Sequence, residues 1–135
     1  MRNFCYFFST NALNHKHLWK IFSKAGKKQL KALLKKGILR RHAEWLRELR
    51  ELLDQPYDEE TNEFDRSMTV TDKSRKFYKE AMRMEDYYRN SMLTIGLANL
   101  LHDGYLTTED IASLHEDLKA IVQHLTTVGV NTKKG

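Results

Sequence analysis

Apolar residues recur at steps of three and four along most of the chain, the spacing of one helix face and not the alternation of a strand. Asn11, with Ser9 and Thr10 before it, offers a side-chain cap for a first helix. Leu13, Leu18, Trp19, Ile21, Phe22 and Ala25 supply its apolar face, which Leu30, Leu33 and Leu34 continue. Gly26 is a weak point in this segment, and Gly37 is expected to end it. The second helix is the most regular. Leu39, His42, Leu46, Leu49 and Leu53 step by three and four, Trp45 and Leu52 widen the stripe, and Gln55-Pro56 stops it.

Residues 55–70 lose this period and carry Asp58, Glu59, Glu60, Glu63 and Asp65 against Arg66, so they read as an acidic linker. Thr71-Asp72 then opens a third helix bearing Phe77, Tyr78, Ala81, Met84, Tyr88, Met92, Ile95 and Leu100, which His102-Asp103-Gly104 ends. A fourth starts at Thr107 with Asp110 as the acid of a capping box, and runs through Ile111, Leu114, Leu118, Ile121, Val122 and Leu125 to Gly129. Helices of this length are marginal alone, whereas burial of their apolar faces is worth roughly 25 cal/mol per Å². The pattern therefore predicts an all-α protein, a four-helix bundle-like arrangement of two antiparallel helical hairpins joined by the acidic linker. Residues 1–135 form a single domain on this reading. It comprises an aromatic N-terminal arm at 1–10, a basic hairpin at 11–54, the linker at 55–70, a second hairpin at 71–129 and a tail at 130–135.

Leu97, Leu100, Gly104, Leu106, Thr107, Glu109, Asp110 and Ile111 follow the spacing L-x-x-L-x-x-x-G-x-L-T-x-E-D-I. This segment, about residues 95–120, resembles the SHOCT-type (short C-terminal oligomerisation) helical hairpin, which also occurs in proteins of bacterial mobile elements. The resemblance implies self-association or docking and not chemistry. The chain departs from that family's habit by placing about a hundred residues before the hairpin, so no whole-protein function carries over.

Charge sharpens the picture. The 135 residues carry a net +5, with 41% hydrophobic and 30% charged residues, a globular balance. Met1 to Leu53 holds thirteen Lys or Arg and three Glu, a balance of +10, and the remainder stands at −5. Lys16, Lys20, Lys24, Lys27, Lys28, Lys31 and Lys35 follow helical steps, and Arg40 and Arg41 extend the basic region. These nine residues are the expected contact to nucleic acid, or to an acidic protein surface, of a regulatory or accessory factor. The preponderance of lysine favours diffuse phosphate attraction over base reading. Against it stands the commonness of lysine on outer helix faces. The rival reading is a protein–protein adaptor or inhibitor that can homodimerise, with Trp45, Leu49, Tyr78, Tyr87, Tyr88 and Met92 as interface residues. A basic amphipathic helix on an anionic membrane ranks third, since Trp19 and Phe22 are needed for a core.

Chemistry is not indicated. There is no glycine-rich phosphate loop, no Gly-x-Ser-x-Gly and no supported Cys–His pair, so no enzyme, small-molecule substrate or cofactor is expected. The six histidines form no i, i+4 pair beside a carboxylate, so no metal site is expected. The single Cys5 excludes an internal disulfide and suits a cytoplasmic location. No apolar run reaches the roughly 18 residues of a membrane span, and the aromatic start lacks the length and cleavage site of a secretory signal. Residues 108–130 have some helix-turn-helix character, but Leu114, Leu118, Ile121, Val122 and Leu125 fit one unbroken helix.

Overall fold

In the computed structural model, residues 23–127 are described. The aromatic arm at 1–10, the cap at Asn11, Lys16, Lys20 and the tail at 130–135 lie outside them. Among the described residues there are four α-helices and no strand, as an all-α protein requires. They are α1 (Lys24–Asp54), α2 (Glu63–Glu85), α3 (Leu93–His102) and α4 (Glu116–Thr127), with two 3-10 turns, Asp86–Tyr88 and Asn90–Met92, between α2 and α3.

The expected turn at Gly37 is absent. α1 runs unbroken through it, from a Ser23 cap whose side chain accepts from the Gly26 N–H to Asp54. A glycine inside a helix costs about 1 kcal/mol relative to alanine. Here it leaves room for close packing, because a Cβ at Gly37 would lie 2.9 Å from Leu100 Cδ1 and 3.1 Å from Leu106 Cγ. The glycine is a notch and not a stop. The first hairpin therefore pairs α1 with α2, and not the two halves of 11–54.

The acidic linker is also shorter than expected. Asp58 accepts from the N–H groups of Glu60 and Thr61, turning the chain, and Asn62 with Asp65 forms a reciprocal capping box that starts α2. Glu63 and Asp65 thus sit where the helix dipole favours acids. Thr71, the expected start, lies two turns inside α2 and donates its hydroxyl to Ser67 O. Arg66, 5% exposed, closes the loop by donating to Leu53 O and Pro56 O. The first of these bonds satisfies one of the orphan carbonyls at the end of α1.

The core gathers around α3, whose residues from Leu93 to Leu100 are all buried, as a helix apolar on every side requires. Leu30, Leu34 and Ile38 of α1, Leu118, Ile121, Val122 and Leu125 of α4, and Leu106, Ile111 and Leu114 from the connection pack around it. The expected continuous helix from 71 to 102 breaks at 86–92, where backbone bonds from Arg89 N to Asp86 O and from Met92 N to Arg89 O tighten the chain into two 3-10 turns. The break folds Tyr87 against α3, so closely that a Cβ on Gly96 would lie 2.6 Å from Tyr87 Cβ.

α3 ends at His102, with Gly104 at φ +85°. Thr107 and Asp110 make the anticipated reciprocal cap, yet only a short turn follows before the chain restarts as α4 at Glu116. The unbroken helix from 107 is thereby corrected. A helix over 107–127 would be about 30 Å long, and the ten-residue α3 offers only about 15 Å to cover it. The break near His115 lets Ile111, Leu114 and the α4 face all reach that short core.

Candidate functional site

α1 spans about 46 Å, three times the length of α3, so the head, formed by α3, α4 and the connection between them, covers only its first half. The two halves of α1 present different surfaces.

On the first half, Lys24, Lys28, Lys31 and Lys35 are exposed and step by four, three and four residues, with Lys27 half-buried beside them. At 100° per residue they share one side of the helix. Among the described residues none of the five takes part in a salt bridge, and α1 carries no carboxylate before Glu44.

Arg40 and Arg41 behave differently. Arg40 grips both oxygens of Asp110, at 2.6 and 3.3 Å, and donates to Tyr105 O at 3.0 Å. Lys36 reaches the same carboxylate at 2.9 Å. With only 7% of its side chain exposed, Asp110 is held well below the usual carboxylate range, first by Arg40, then by Lys36 and the Thr107 N–H. Arg41 pairs with Glu80 and Glu44, and its guanidinium lies 4.9 Å from the Phe77 ring centre. Burial, followed by the 2.9 Å bond from its hydroxyl to Glu44, pushes the Tyr105 phenol up to about 12. These two arginines tie α1 to α2 and to the turn before Asp110. Their charge is spent inside the molecule.

The second half of α1 pairs antiparallel with α2. Arg41 meets Glu80, Trp45 stacks on Phe77 at 5.2 Å, and Leu53 O accepts from Arg66. Beyond that contact no other described element covers the hairpin's outer stripes. Leu39, Leu46 and Leu53, seven residues apart, are 56%, 58% and 56% exposed. On α2, Phe64 (69%), Met68 (44%), Tyr78 (61%) and Met82 (47%) form a second stripe, with Thr71 and Arg75 completing four- and three-residue steps. Each stripe has the seven-residue period of a helix seam that packs on another helix.

Of the anticipated interface residues, Tyr78 alone is fully on this surface. Trp45 is committed to Phe77 and Leu49 is half-buried. Tyr87 is buried in the core, and Tyr88 and Met92 pack at its edge. Sequence reasoning placed Leu39, Leu46 and Leu53 in a core stripe and lost Phe64 and Met68 to the linker. The four- and three-residue steps from Phe64 to Met82 were the available signal.

No group of three or more His, Cys, Asp or Glu among the described residues could hold a metal ion. No described helix is long and apolar enough to cross a membrane. Comparison with protein families, curated proteins and solved structures finds no match to this chain.

Proposed function

We propose that this chain is a small non-enzymatic helical docking protein that works by burying the exposed seams of its α1–α2 hairpin against another helical surface. One observation carries the reading. Seven large apolar side chains stand 44–69% exposed in heptad steps on one hairpin, while the head buries its core completely. Scattered apolar residues on a surface need no explanation, whereas an ordered stripe marks an interaction site. In a dilute sample, an apolar dye should bind the hairpin. Leu46→Glu with Tyr78→Glu should abolish that binding and leave the helical circular dichroism and melting point unchanged. Unfolding of the double variant would mean the seams are already covered within the chain, and the reading would fail.

A second reading rests on the lysine face, the unpaired part of the region expected to contact nucleic acid. Four exposed ammonium groups along about 16 Å of helix suit diffuse attraction to phosphates. On this reading log K against log salt for a DNA or RNA duplex has a slope of about −4, and Lys24, Lys28, Lys31 and Lys35 changed to Glu remove binding. A slope near zero rejects it. Arg40 and Arg41 belong to the scaffold under either reading.

A further inference from the structure

We propose that the occupant of the hairpin is a second copy of this chain, with the α1 seam of each copy lying on the α2 stripe of the other. This rests on the docking reading above and names its partner.

Three observations select a second copy. The first is that there are two stripes, one on each helix, so a single incoming helix leaves one uncovered. A second copy brings two, and a reciprocal contact closes on itself as a two-fold dimer. The second is area. Large apolar side chains span roughly 150–250 Å² each, so seven of them about half exposed, with Tyr57 at the tip, offer roughly 800 Å² per copy. A standard interface takes about that much from each partner.

The third is charge. One edge of the α1 seam carries the exposed Arg47 and Arg50, and one edge of the α2 stripe carries Asp65, Asp72 and Lys79, with Asp72 3.6 Å from Arg75 of its own helix. At the level of Arg50 like meets like if α1 packs on α1, and Arg50 meets Asp72 if α1 packs on α2. The hairpin's own contacts give the level: Arg41 with Glu80, Trp45 with Phe77 and Leu53 with Arg66 pair residues whose numbers sum to about 120. A two-fold axis parallel to the hairpin keeps that level between copies. Leu39 then meets Met82, Leu53 meets Met68, and Arg50 lies beside Asp72.

Sedimentation equilibrium on the full chain tests this, from about 1 to 100 µM at moderate salt. Expected is a mass twice the 16.0 kDa of one chain, reduced to one by Leu46→Glu with helical content retained. Arg50→Asp and Asp72→Arg should each weaken the dimer about tenfold, since two pairs are lost and like charges meet, and the two together should restore it. A wild-type mass of one chain throughout overturns the second copy. If the dimer forms but the double swap does not recover, the α1-on-α2 pairing is overturned. Dye binding by a monomeric wild type leaves the docking reading standing with another partner. Its absence, with Leu46→Glu unfolding the chain, removes both.

Discussion

The head and the outer hairpin share α1, yet they obey opposite rules of burial. In the head, Leu30 and Leu34 are completely buried in the core that gathers around α3. About three and five turns beyond Leu34, Leu46 and Leu53 occupy equally regular helical positions and stand more than half exposed. Nothing in their residue type differs. What differs is direction: at 100° per residue Leu46 and Leu53 point about 100–120° around α1 from Leu34, the side on which Leu39, beside the buried Ile38, is also exposed. Helical period identifies an apolar stripe, and only the side on which neighbouring helices pack, and how far they extend, decides whether that stripe is covered in this chain or left for another.

The comparison can be broken most forcefully with leucine truncations. Leu34→Ala should cost about 3 kcal/mol in urea unfolding, whereas Leu46→Ala, at concentrations where the chain is monomeric, should change stability by less than about 0.5 kcal/mol. Equal costs would erase the distinction. Gly96→Ala comes next. Its methyl would lie 2.6 Å from Tyr87 Cβ, an atom fixed to the backbone, so either α3 or the 86–88 turn must move, at about 2 kcal/mol. A variant that melts like the wild type would mean the turn is loosely held.

Asp110 sharpens the same contrast through pH. Its folded pKa is depressed by Arg40, Lys36 and Thr107, so its contribution to stability is present above the unfolded value of about 3.9 and is lost as pH falls further. Lys36 and Arg40 are about half open to water, which discounts the pair. Asp110→Asn should therefore cost about 1–2 kcal/mol at pH 7. The gap from wild type should narrow below about pH 4. A gap constant with pH would show that charge is not what holds the turn to α1. The smallest effect is expected at the hairpin's own cap: Asn62→Ala should cost about 1 kcal/mol and speed amide exchange in the first turn of α2, leaving the head's exchange unchanged.

The capping signals illustrate what local chemistry can and cannot convey. Thr107 and Asp110 were legible as a reciprocal cap and form one, but how far the helix continues was not legible, because the break at 115 answers to the size of the core. Asn62 and Asp65 carry the same chemistry in a stretch whose acids were read as a linker. Gly37 shows the opposite failure. A residue that commonly ends helices sits mid-helix, because Leu100 and Leu106, more than sixty residues away in sequence, press against it. The lysine stripe was visible from spacing alone, but the withdrawal of Arg40 and Arg41 into ion pairs depended on carboxylates 70 and 39 positions away.

By itself the sequence determined the helical class, the apolar periods, the turn at Gly104 and the position of the positive charge, all of which depend on residues within a few steps of one another. The tertiary structure alone decided that α1 is a single long helix, which of its cations remain unpaired, and that its Leu39–Leu46–Leu53 side is left open. Those outcomes follow from which distant segments arrive and how far they extend, and a local pattern holds no record of either.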